Sequence, residues 1–227
     1  YGKPAAVAPS LHGGHPRLKQ QQILRRNDPE IMKAGLAMLA AKTGNQASVL
    51  KYFARYRKKD ASSSVYGELS KSATEIRGLA DLIENLDPQS SGIRNVAMGY
   101  EGRAAATYWT ALSSILSKDL EYPGRRTREA EDPFNQTINY VYGILYGEIW
   151  KATIHAGLDP YSGIMHGSER DQGSLIFDLI EEFRAPFGDR LVLGMLGRGF
   201  QPVLSRHGTL RTSGKRLVVQ AFHRMWN

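Results

Sequence analysis

The chain has 227 residues, 41% of them hydrophobic and 23% charged, enough for one sizeable packed domain or a domain plus a fragment of another, which excludes wholesale disorder. Thirty lysines and arginines against 22 acids give a formal charge of +8 and a pI near 9.7, a surface that attracts polyanions, of which nucleic acid is the commonest. The absence of cysteine excludes disulfides, thiolate zinc sites and a cysteine nucleophile. Apolar runs are too short to span a bilayer and no charged-then-apolar leader opens the chain, so no membrane is implied and the cytoplasm is the expected location.

Residues 1–27 read as the end of a β-rich N-terminal domain and a linker: Ala5 to Ser10 is extended in character, and Gly13, Gly14 and Pro16 then interrupt any regular pattern. Residues 28–227 read as a helical catalytic domain, so the expected fold class is mainly α. Asp28-Pro29 predicts a helix start, with proline where its missing N–H costs nothing, and the helix runs to about Arg57 with a kink near Gly44. Further helices are expected from Ser64 to Asn85, Tyr100 to Lys118, and Asp132-Pro133 to His155, the last closed by Gly157 and Asp159-Pro160. Ser174 to Arg184 makes the next, with Pro186 expected to bar its continuation. A short helix over Asp189 to Leu196, a hairpin around Leu204–Leu210 and a last helix over Ser213 to Trp226 complete the order. The chain opens on Tyr1 and closes on Asn227 directly after a helical run, so it reads as a piece of something longer.

Several places carry residues suited to chemistry. Gly157 to His166 puts a histidine on an irregular connection after a long helix, where it is either a metal or phosphate contact or a surface histidine. Asp178 and Glu181 share one face of the following helix, opposite Leu175, Ile176, Leu179, Ile180 and Phe183. The pattern suits two carboxylates offered to a metal and equally an amphipathic helix with a wet side. Glu101 is expected near the start of its helix, where the dipole favours an acid whatever its role. Lys51, Arg55, Lys58 and Lys59 form a stripe at helical spacing, a phosphate track or a solvated face. The loop arginines Arg125, Arg126 and Arg128 are the stronger candidates for phosphate contact.

In chain order, Lys42-Thr43-Gly44-Asn45-Gln46, Gly99-Tyr100-Glu101-Gly102 to Tyr108-Trp109, Asp132-Pro133-Phe134-Asn135 to Tyr142, and Gly157 to His166 followed by Ser174 to Arg184 carry a resemblance. Together they resemble the DNA integrase family that inserts spacers into CRISPR arrays in antiviral defence. The resemblance implies a metal-dependent endonuclease and integrase that joins the 3′-hydroxyl of short DNA to a CRISPR repeat by transesterification. It implies Glu101, His166 and Glu181 as ligands of Mg²⁺ or Mn²⁺, with Asp178 beside them in the catalytic group and Glu148 structural. It also implies DNA, a second copy of the chain as homodimer partner, and a small adaptation partner subunit; some relatives are fused to a reverse transcriptase. A hydrolytic nuclease with the same ligands and a non-catalytic helical DNA-binding module are the competing readings.

Overall fold

The computed structural model describes residues 15–57, 64–166 and 173–226. The extended stretch expected at Ala5–Ser10 lies outside these residues, as do Lys58 and Lys59. The described residues are mainly helical, with one isolated antiparallel bridge, Leu204 to Leu210, where a hairpin was expected. No helix among them is long and apolar enough to cross a membrane.

The helices are α1 (Pro16–Leu24), α2 (Pro29–Arg57), α3 (Ser64–Glu84), α4 (Ile93–Ser113), α5 (Pro133–His155), α6 (Ser174–Phe183), α7 (Arg190–Gly197) and α8 (Thr212–Trp226). Part of the expected linker is therefore helix α1, and Gln22 fastens it to the body. Its Nε2 donates to the carbonyls of Asp159 and Ser162, and its Oε1 accepts from the Asp159 N–H at 2.9 Å.

The Asp-Pro starts behave differently. At α5 the Asp132 side chain accepts the Asn135 N–H at 2.8 Å, a true cap with Pro133 at the first helical position. At α2 the Asp28 carbonyl accepts the Met32 N–H, while its carboxylate pairs with Arg25 at 2.7 Å.

The helix expected from Tyr100 begins seven residues earlier, at Ile93. Its boundary is Gly92, which takes φ 72°, rather than Gly99, which continues the helix. It also ends earlier, at Ser113, and a 3-10 turn over Lys118–Leu120 follows. Gly157 does take the left-handed conformation after α5, at φ 76°.

Pro186 does not end the helical run after α6. A π-helical turn, Arg184–Asp189, carries the chain directly into α7. Proline at 186 has no N–H for the Glu182 carbonyl four residues back, and a wider turn relieves the ring's clash with it. Asn45 Nδ2 of α2 donates to that carbonyl at 2.9 Å. The proline defect is thus tied to a neighbouring helix.

Helix α5 is the centre of the larger core: Phe134, Ile138, Val141, Leu145 and Ile149 are buried, with Leu50, Leu69, Ile76, Leu112 and Ile180 packed around them. Each such side chain contributes about 1.5–3 kcal/mol by leaving water. Helices α2, α3 and α4 pack against one another, α6 lies against α2 and α5, and α8 closes the far end against α5 and α7. A smaller cluster of Met32, Leu36, Leu39, Ile83, Ile93, Ala97 and Met165 seats the loop that carries His166.

Candidate active site

Four elements bring the charged side chains together. Helix α4 supplies Glu101, α6 supplies Asp178 and Glu181, the connection after α5 supplies His166, and α2 supplies Lys42. The Lys42 ammonium stands between two carboxylates, 2.5 Å from Glu101 Oε1 and 2.7 Å from Glu181 Oε2. Arg184 Nη1 holds the other Glu181 oxygen at 2.6 Å.

Burial alone would lower the Lys42 ammonium, but Glu181 and Glu101 outweigh it and its pKa lies above the ordinary value. Burial would likewise raise the Glu181 carboxyl, yet Arg184, Lys42 and His166 together hold it below the ordinary value. Both groups are therefore charged at neutral pH.

The acidic face of α6 turns inward. Asp178 is 3% exposed and Glu181 4%, whereas Phe183, expected on the apolar side, is 40% exposed. The wet-side reading of α6 is thereby excluded. Glu101 lies more than two turns inside α4, so the helix dipole, which fades within the first turn, does not account for an acid there. Its counter-charge is Lys42.

Asp178 plays another part. Its Oδ2 accepts the N–H groups of Ile164 at 2.5 Å and Met165 at 3.1 Å. Its Oδ1 accepts the His166 N–H at 3.0 Å and meets His166 Nδ1 at 2.7 Å. One carboxylate thus shapes the loop and, with Nδ1 carrying the proton, orients the ring so that Nε2 is the nitrogen for ligation. The loop leaves little latitude: a Cβ at Gly163 would lie 2.8 Å from the Ser174 carbonyl carbon, and one at Gly35 of α2 would lie 2.7 Å from both Ile164 and Met165.

Two carboxylates and an imidazole with no sulfur suit a hard divalent cation such as Mg²⁺ or Mn²⁺. Glu181 Oε2 is buried and faces the Lys42 ammonium at 2.7 Å, and it is the oxygen that a metal in that position would meet. Among the described residues, however, no three His, Asp or Glu side chains are arranged to hold an ion as they stand. The structure brings Glu101 and Glu181 together about an ammonium, with His166 held separately by Asp178.

The loop arginines divide. Arg125 is half-buried, its guanidinium 5.3 Å from the ring centres of both Trp109 and Tyr142, and its Nη1 donates to Asn135 Oδ1 at 3.0 Å. Arg126 and Arg128 are exposed. Asn135 fixes this loop by donating to the Gly124 carbonyl and accepting from the Arg126 N–H. Arg125, Arg184, Lys42, Gln46 and Glu181 line one cavity of about 110 Å³. Glu148 pairs with Lys151 on α5 at 2.7 Å.

Sequence reasoning missed Lys42, Arg184, Asn45 and Gln46 as participants. Lys42, Asn45 and Gln46 fall in a stretch that carries the family resemblance, but only the fold shows that they face α6.

The chain matches the sequence profile described as CRISPR associated protein Cas1 over residues 1–224. It is 32% identical over 195 residues to "CRISPR-associated endonuclease Cas1 1" of Saccharolobus solfataricus, covering 84% of this chain and 50% of the relative. This chain belongs to the Cas1 family. It spans about half the length of that curated relative. Two solved structures share the Cas1-family fold. A casposase bound to integration product matches with a TM-score of 0.72 at 21% identity, over 93% of this chain and 57% of that one. A Cas6-RT-Cas1–Cas2 complex matches with a TM-score of 0.76 at 20% identity, over 99% of this chain and 24% of that one.

Proposed function

We propose that this Cas1-family chain supplies the catalytic centre of a divalent-metal-dependent DNA integrase. The reaction joins the 3′-hydroxyl of a short DNA to a repeat strand: the new P–O bond forms as the bond to the repeat's own 3′ oxygen breaks. The observation that carries the reading is the inward-turned pair Glu101 and Glu181 around one cation position, beside an imidazole whose Nδ1 is fixed by Asp178.

Glu101, Glu181 and His166 Nε2 would hold Mg²⁺ or Mn²⁺, which supplies Lewis-acid polarisation of the scissile phosphate and stabilises the departing oxygen. Asp178 keeps the imidazole in one tautomer, and Arg184 fixes Glu181 so that Oε2 faces the centre. Arg126 and Arg128 contact DNA phosphates from the exposed loop, and Arg125 does so from the cavity wall.

Inserting a duplex takes two joinings at opposite ends of a repeat. Two such centres on a two-fold scaffold meet that geometry, so a second copy is a proposed partner, with a small Cas2-type subunit. The neighbouring Cas6-RT-Cas1–Cas2 complex supports this partner class and a fusion to a reverse transcriptase.

The test supplies labelled DNA with a free 3′ end, a repeat duplex and Mn²⁺ to the intact protein. Joined product supports integration. Cut product alone favours a hydrolytic nuclease, and neither product favours a non-catalytic DNA-binding module.

A further inference from the structure

The ammonium of Lys42 occupies the position between Glu101 and Glu181 that a shared metal needs, and two cations cannot share it. Without some cation there, two buried carboxylates would repel one another in a low-dielectric setting. One turn further along α2, at the i+4 position and so on the same face, stands Gln46. It is 5% exposed, and its Oε1 is buried with no hydrogen-bond partner among the described residues. A buried carbonyl oxygen without a donor is costly and therefore uncommon. Lys42 and Gln46 line the same small cavity, so an acceptor without a donor lies beside a donor that has another place to be.

We propose that Lys42 is a resident cation that must leave for the metal to bind, and that Gln46 Oε1 is its second seat. This rests on the metal-site reading above. In the metal-free centre the ammonium neutralises the carboxylate pair and keeps it assembled. When a divalent cation enters, the four-carbon stem of Lys42 swings the ammonium into the cavity, where Gln46 accepts a hydrogen bond from it. Arg125 and Arg184 also line that cavity, with the carboxylates of Glu181 and Asp189, so the displaced ammonium makes three cations against two anions around one space. Such a cluster is stabilised by an anion, and the phosphate carried to this centre by DNA is the fitting one. Metal and DNA therefore strengthen each other's binding through the lysine, and by linkage the coupling is reciprocal.

Calorimetry of Mn²⁺ binding to the intact protein, with and without a short blunt DNA duplex, tests this. Lys42→Met keeps the length of the side chain and removes the competitor. It should bind Mn²⁺ about tenfold or more tightly than wild type in the absence of DNA, and gain less from added DNA. A lysine that merely scaffolds the site would produce the opposite result, weaker binding. Gln46→Leu supplies an independent arm with less structural risk: it should weaken Mn²⁺ binding several-fold in the wild-type background and leave it unchanged in the Lys42→Met background. Uptake by wild type that Lys42→Met weakens or leaves unaltered would overturn the proposal while leaving the metal reading intact, as would an equal effect of Gln46→Leu in both backgrounds. No Mn²⁺ uptake by either form would overturn both.

Discussion

Glu181 precedes the π-helical turn and Asp189 is its last residue; both are almost fully buried, and their negative charge is met in contrasting ways. Glu181 is flanked by cations, Lys42 on one oxygen and Arg184 on the other. Asp189 is met by neutral hydroxyls: Tyr108 Oη donates at 2.8 Å to Oδ2, and Tyr142 Oη donates to Oδ1. Burial pushes the Asp189 carboxyl up to about 6 despite both hydrogen bonds and the weaker pull of the Arg125 and Arg184 guanidiniums. It also pushes the two tyrosines well above their ordinary value, with Asp189 adding to the effect. A carboxylate balanced by charge on a flexible side chain can exchange that charge for an arriving ion. One saturated by rigid phenols has little to offer a ligand and instead locks α4, α5 and the π-helical turn together.

The largest effect that follows from this contrast concerns catalysis. Glu181→Ala should abolish joining, a fall on the order of a thousandfold or more, in line with losing a group that stabilises charge at the reacting phosphate. Asp178→Ala should leave measurable Mn²⁺ binding, weakened about 10–100-fold through loss of the imidazole's orientation. Calorimetry with Mn²⁺ checks the order of the two, and a weaker effect at Glu181 than at Asp178 would remove the distinction between ligand and positioning residue.

A second test uses the opposite pH signatures of the two carboxyls. Asp189 has a raised folded pKa. Its contribution is full below the unfolded carboxyl value and is lost as pH rises through about 6. Glu181 has a lowered folded pKa, so its contribution is present above the unfolded value and lost as pH falls through the depressed one. Urea unfolding of Asp189→Asn should therefore remove a decline on the order of 2–3 kcal/mol between pH 4 and 7 that the wild type carries. Glu181→Gln should steepen that decline over the acidic half of the range. Equal slopes for all three proteins would mean that the two environments do not differ as described.

The smallest effect belongs to the exposed loop. Neutralising Arg126 or Arg128 should weaken DNA binding about equally for all sequences and flatten its salt dependence by close to one unit. Titrations at several salt concentrations measure this. Loss confined to one sequence would instead make these residues readers of bases.

Much of this architecture is legible in local sequence, because local chemistry fixes it. Asp132-Pro133 marks the start of α5, and Gly157 its end. The misplaced start at Tyr100 has the opposite kind of cause: Gly92 and Gly99 are both locally able to break the chain, and only the packing of Ile93 and Ala97 against α2 and α3 decides between them. Pro186 misleads because its consequence depends on Asn45, which lies 137 residues before Glu182 and supplies a donor to its carbonyl. The acids of the site are readable as types and spacings. Their counter-ions are not, because a lysine on a long helix carries no local mark of facing inward. The two-sided ambiguity of α6 persists in sequence for that reason, and it ends only when Lys42 and the histidine loop are seen to pack against its acidic face.

The place of His166 is recorded partly by an atom that is missing. Gly35 leaves room on α2 for Ile164 and Met165, and any side chain there would intrude on both at 2.7 Å. In genetic terms the notch and the loop form a single heritable unit spread across two distant stretches of sequence. A lineage that acquires alanine at position 35 is expected to survive by shrinking its neighbours at 164 and 165, and the two sites should drift as a pair.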